Sequence, residues 1–170
     1  FQKAADLHKS LKQWSYLAPN YLAWAQIEKA EELSRRERAE EAIQSFEDAA
    51  RLFDESKESL QQQLSKIEDH DEKKMATYMT KATEMRHQYC SARIAIEEAR
   101  ILDKKGDHSR SSEKYSSAAE TLQKIVQTTE SEQDKKEFQL IISLSQAWQR
   151  MMLAEARASP QLYMEASQLF

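Results

Sequence analysis

The chain has 170 residues with one glycine, two prolines and one cysteine; charged residues make up 32%, hydrophobic residues 40%, and the net charge is −4. A β-rich fold needs glycine and proline at its turns, and a disulfide framework needs paired cysteines, so both are excluded. The interspersed charges argue against non-specific nucleic-acid binding, and no apolar run approaches the ~18 residues of a membrane span.

What is left is an all-α chain rich in good helix formers, divided by polar caps into about seven helices. The first covers 2–17 and is broken by "APNY", where Pro19 stops it and Asn20 caps the second, 21–33. "SRRE" places Ser34 three residues before Glu37, the capping-box spacing, and opens the third helix, 36–67. The charged cluster "EDHDE" (68–72) separates it from the fourth, 72–105. "KKGD" then gives a strong stop: lysines suit a helix C-terminus, and Gly106 accepts the left-handed conformation that closes one. Asp107 or Ser109 caps the fifth helix, 108–128. Thr129 and Glu132 suggest a capping box for the sixth, 131–158, and Ser159–Pro160 opens the last, 160–170.

The third and fourth helices are long. Ala39, Ile43, Phe46, Ala50, Phe53, Leu60, Leu64 and Ile67 recur at heptad spacing on the third, with Lys57 the one interruption. Met75, Tyr78, Ala82, Met85, Tyr89, Ala92, Ile96 and Ala99 do so on the fourth. The two seams predict a coiled-coil-like antiparallel hairpin over 36–105, part of which projects, because ~30 helical residues span about 45 Å. A break at "DES" (54–56), with a degenerate extra repeat over 57–90, is the competing division.

The sequence also repeats internally. "EKAEELSRRERAEEAIQSFEDAARLF" aligns with "EEARILDKKGDHSRSSEKYSSAAETL", matching Ala30 to Ala99, Leu33 to Leu102, and Ala42, Phe46 and Ala49 to Ser111, Tyr115 and Ala118. A weaker third copy contains Ala154, the Ser159–Pro160 turn, Ala166 and Phe170. The copies occupy 22–50, 91–122 and 147–170.

Small–large spacing on a first helix, a turn, then small-x3-aromatic-x2-small on a second resembles the tetratricopeptide (TPR) repeat. The resemblance implies a right-handed array of antiparallel helical hairpins, here a single domain over 1–170 with lengthened helices. The chain departs from the family in three respects. Gln26 and Ala95 stand where the family has tryptophan, the closing proline is absent, and the copies lie 69 and 55 residues apart instead of about 34. The chain also opens on Phe1-x2-Ala4 and closes on "EASQLF", both in mid-repeat, which makes a segment of a longer array the expectation.

By register with that family, a concave partner groove would present Trp24, Ile27 and Glu31, then Arg93, Ile96 and Arg100, then Trp148, Met151 and Glu155. It would hold an extended or helical peptide. The lysine and asparagine set that clamps a C-terminal carboxylate in some family members is not visible.

Other motifs read as structure. One glycine without a preceding strand makes no phosphate loop around Gly106. His70 between Asp69 and Asp71 lacks the second ligand cluster a metal needs. Cys90 has His87 three residues before it, which suits a nucleophile and its base, but it lies beside the core stripe and reads as a packing residue. Met75 and Met85 fall on the seam and read as core. Glu31–Glu32 and Glu40–Glu41 point apart on solvated helix faces. Trp14, Tyr16, Tyr21 and Trp24 form an aromatic corner that suits either a partner or a neighbouring repeat.

The sequence therefore points to a non-catalytic protein-interaction scaffold, without cofactor, metal or nucleic acid. Its partner is a protein or peptide, and the lone cysteine fits a reducing, cytoplasmic setting. The alternative is a regulatory or sensor domain that dimerises through the long hairpin or binds a small ligand.

Overall fold

The computed structural model describes residues 1–169 and their side chains other than those of 12–14. The fold is all-α. Its helices are α1 (Gln2–Ser10), a 3-10 segment (Lys12–Leu17), α2 (Ala18–Arg35), α3 (Ala39–Leu64), α4 (His70–Lys104), α5 (His108–Thr128), α6 (Glu132–Arg157) and α7 (Pro160–Ser167). Each helix packs chiefly on its neighbours in the chain, with an added α2–α4 contact and the 3-10 segment resting on α3.

Several boundaries move from their expected places. The first helix ends early because the Ser10 hydroxyl donates to the Leu7 carbonyl (2.7 Å) and Leu11 turns extended. Pro19 lies inside the first turn of α2, where a proline is tolerated, so Asn20 is not a cap. It is buried instead, and its Oδ1 has no hydrogen-bond partner. Asp69 caps α4 by accepting from the Glu72 amide (2.8 Å), and Asp107 caps α5. At α6 the cap is Ser131, two residues beyond Thr129, bonded to the Asp134 amide. Helix α3 runs unbroken through 54–56, which removes the competing division into two repeats.

The turns after α2 and α4 are built alike. Arg38 N–H donates to the Leu33 carbonyl (3.0 Å) and Glu37 N–H to that of Ser34 (3.1 Å). Sixty-nine residues on, Asp107 N–H reaches Leu102 (2.9 Å) and Gly106 N–H reaches Asp103 (2.8 Å). Both are Schellman closures around a left-handed residue, Glu37 at φ 58° and Gly106 at φ 77°. The Ser34–Glu37 capping box is therefore absent: Ser34 lies in the last turn of α2, and α3 has no side-chain cap. A 55-residue spacing would place the third left-handed residue at Gln161, yet it falls at Ala158 (φ 48°). The third copy keeps the device and loses the register; its terminal aromatic, Phe170, lies outside the described residues.

Two cores follow. One joins α2 and α3 through Ala23, Ile27, Ala30, Ala42, Phe46, Ala49 and Phe53, with Cys90 from α4. The other joins α4, α5 and α6 through Ala92, Ile96, Ala99, Tyr115, Ala118, Leu122, Ile125, Ile142 and Met152. Fully buried alanines and Ser111 let helix axes approach closely, and the Ser111 hydroxyl donates across to the Ala99 carbonyl (2.8 Å).

The expected α3–α4 seam is thus corrected. The apolar heptad of α4 turns toward α5 and α6, while α3 meets a second stripe that contains Cys90 and His87, the latter 3.4 Å from Asp54. Because α5 is 21 residues and α4 is 35, the first turns of α4 extend past α5. Met75 and Tyr78 are consequently exposed there, where a core position was expected.

The left-handed turns give a paired test. A Cβ at residue 106 meets nothing within 4 Å, so Gly106→Ala costs only the conformational penalty, about 1–2 kcal/mol. Ala158→Gly should raise stability by less, about 0.5–1 kcal/mol, since glycine loses more freedom on folding. Urea midpoints of both variants check the opposite signs.

Candidate functional site

Helices α2 and α4 are joined by a polar cluster at the centre of the expected groove. Glu97 is completely buried on α4, one turn beyond Arg93 and one turn before Arg100. The Ser34 hydroxyl donates to its Oε1 (2.6 Å) and accepts from Arg100 (2.9 Å) and Arg93 (3.2 Å). Arg100 also bonds both Glu97 oxygens, at 3.0 and 3.2 Å. On the other side Glu31 pairs with Arg93 and accepts from the Tyr89 hydroxyl (2.6 Å). Arg93 lies over the Phe46 ring at 5.2 Å.

Two carboxylates thus face two guanidiniums, and the Ser34 hydroxyl uses its proton and both lone pairs. Such a buried, balanced set contributes little net stability, but loss of one member strands a charge. Burial pushes the Tyr89 hydroxyl pKa up, so it stays a neutral donor. Burial opposes the Arg93 charge, and the Tyr89 hydroxyl and Glu31 carboxylate outweigh that and hold its pKa above the usual value.

The expected groove residues therefore divide. Ile27 and Ile96 are buried in the two cores, and Met151 packs against the second, so the apolar anchors face inward. Arg93 and Glu31 belong to this polar cluster, which clamps α2 to α4, and this corrects the reading of Glu31 as a solvated face. Trp24 is half-buried, stacked on Phe1 (5.4 Å) and beneath the Arg86 guanidinium (4.6 Å). Arg100, Trp148 and Glu155 reach solvent, with Trp148 stacked on Tyr115 at 6.4 Å.

Glu97, Ser34 and Tyr89 were missed. The available signal was a carboxylate flanked by arginines at i−4 and i+3, on a stripe that otherwise reads as buried.

Elsewhere the candidates separate. His87 faces Asp54 and not Cys90, and His8 stacks on Tyr21 at 4.8 Å. His108 Nδ1 lies 3.1 Å from Asp103. Cys90 is fully buried, and burial pushes its thiol pKa up to about 12, opposite to an activated nucleophile. No group of three His, Cys, Asp or Glu among the described residues converges on one point. No described helix is long and apolar enough to cross a membrane. In the aromatic corner, Tyr16 reaches Glu72 at 3.4 Å; the Trp14 side chain lies outside the described residues. Comparison with protein-family models, curated proteins and solved structures finds no match.

Glu97→Ala should lower stability by about 1–3 kcal/mol, because it leaves the buried Ser34 hydroxyl without its acceptor and half-exposed Arg100 without its carboxylate, while Arg93 keeps Glu31. Ser34→Ala should cost about 1–3 kcal/mol, because the buried Glu97 Oε1 loses one of its two donors and keeps only Arg100. Double-mutant urea denaturation should show strong coupling between them.

The thiol adds a pH test. Its pKa is raised on folding, so its contribution is full below the unfolded value near 9 and is lost as pH rises toward about 12. Stability should fall over that alkaline window, and less steeply in Cys90→Ala. At pH 8 the native thiol should react with a thiol reagent only as fast as the protein opens.

Proposed function

We propose that this chain is a non-catalytic protein-interaction scaffold, a TPR-like array of helical hairpins that presents a rigid surface to a helical segment of a partner. The reading rests chiefly on one feature of α6. Leu140, Leu144 and Trp148, spaced four residues apart, are 63%, 43% and 41% exposed, on a row of α6 that faces away from buried Ile142 and closes at buried Met152. Successive positions four apart share a helix face, so these residues form an open apolar ridge. Helix α7 has eight residues and meets α6 near Arg150, whose guanidinium lies 3.2 Å from Glu165. The ridge therefore continues beyond the stretch that α7 covers.

The ridge shifts the proposed contact surface from the middle of the expected groove to its α6 side, with Trp148 common to both. Arg100 and Glu155 offer polar contacts nearby in the array. The clamp between α2 and α4 serves this role by fixing the spacing of the hairpins, so the partner meets a preorganised surface.

The exposed Met75 and Tyr78 on the projecting end of α4 favour the second reading, self-association through the hairpin as part of a regulatory domain. Light scattering over a concentration series separates the two: a mass that rises with concentration and falls back in Tyr78→Glu supports self-association.

Peptides selected from a displayed random library against the folded chain should be amphipathic helices. Their affinity should fall at least about tenfold in Leu144→Glu, with its thermal midpoint little changed, and in Trp148→Ala, whose midpoint also falls because the stack on Tyr115 is lost. Selected peptides that bind both variants as tightly as the parent would contradict the scaffold surface assigned to α6.

A further inference from the structure

The projecting end of α4 is covered unequally. On one side the 3-10 segment rests on α3, and the Tyr16 hydroxyl donates to Glu72 (3.4 Å). On the other side α4 runs past the α5–α6 corner and leaves a cleft of about 880 Å³ between the corner and residues 70–88. That volume lies within the ~300–1,000 Å³ typical of ligand pockets.

The cleft differs in charge from the chain as a whole. Lys73, Lys74 and Lys81 line it from α4 and Lys124 lines it from α5. None of the four has an ion-pair partner among the described residues, in a chain whose net charge is −4. Three carboxylates share the lining. Glu84 is paired with Lys57 (3.3 Å), Asp134 lies within electrostatic reach of Arg86 without an ion pair to it, and Glu130 is uncompensated. The balance left for an occupant is positive. Lys73 and Lys74 also lie in the second turn of α4, toward the positive end of its dipole, so helix stability does not account for their placement.

Between these charges the lining has an apolar stretch: Tyr78, 63% exposed, with Ala82 and Met85 one and two turns further along α4. A polyanion uses charge and needs no such floor. A carboxylate-rich segment with apolar side chains on one face uses both.

We propose that this cleft binds an acidic amphipathic peptide segment of a partner protein, its apolar side chains on Tyr78 and Met85 and its carboxylates on Lys73, Lys74, Lys81 and Lys124. The site lies apart from the α6 ridge, and only the choice of a protein segment as occupant rests on the scaffold reading. Charge complementarity should set its specificity and association rate, and the apolar contacts its residence time.

The test uses a fluorescein-labelled synthetic helix of about 18 residues, glutamate-rich with leucine and phenylalanine at i, i+3, i+4 and i+7. Fluorescence anisotropy with the whole chain should show saturable, salt-weakened binding. It should loosen at least about tenfold in Lys73→Glu/Lys81→Glu and in Tyr78→Ala, both solvent-facing changes that leave the helical circular dichroism intact. Leu144→Glu should leave it unchanged, which separates failure of this site from failure of the ridge. No saturable binding would overturn the proposal, as would equal binding by the double variant. Tighter binding of poly(U) or of phosphatidylserine vesicles would assign the cleft to a polyanion or a membrane. Dimerisation abolished by Tyr78→Glu, with no peptide bound, would assign it to a second copy.

Discussion

Everything in this structure depends on α4 having two buried faces. One stripe enters the α2–α3 core through Cys90, with Tyr89 and Ile94 packed beside it. The other enters the α5–α6 core through Ala92, Ile96 and Ala99. A helix that is apolar on two sides cannot rest on a single partner, and this one joins two hairpins that would otherwise each need a cover. Glu97 fixes its rotation. A fully buried carboxylate must meet Ser34 and Arg100, and any turn of α4 about its axis would strand it.

The same constraint explains the division of labour along α4. Its second half is enclosed by α2, α3, α5 and α6. Its first turns have α3 and the 3-10 segment near them but no α5 packed against them, because α5 stops at Thr128. Apolar residues there keep the heptad spacing of the core but lack a helix to pack against. The open α6 ridge arises in the same way, since α7 covers only part of its length. In both places a long helix outlasts its neighbour, which leaves apolar side chains at helical spacing in solvent.

Much of the fold was legible. Helix-terminating residues act locally, so Pro160, Gly106, Asp107 and the charged cluster at 68–72 marked boundaries within a few residues. The repeat offset between the first two copies reappears in the paired turns at Glu37 and Gly106. Glu37 and Ala158 were not readable as left-handed, because neither has glycine's chemical signature, and a polar pattern around Ser34 imitated a cap. The α4 seam was misassigned because two heptads interleave on that helix. The apolar one was conspicuous, whereas the one toward α2 and α3 carries Thr83, His87, Cys90 and Glu97 and reads as polar. The site was less legible than the fold for the same reason. Arg93 and Arg100 looked like groove cations until their buried partner, Glu97, came with them, and the burial of Ile27 and Ile96 depends on contacts distant in sequence.

Native-state hydrogen exchange tests most directly whether α4 unites the two cores. If it does, the slowest amides of α2, α3, α4 beyond residue 89, and α5 should exchange with one common opening free energy and one denaturant dependence. Residues 70–80 and α1 should open well below it. Separate opening energies for the α2–α3 and α5–α6 pairs, with α4 following only one of them, would contradict the account.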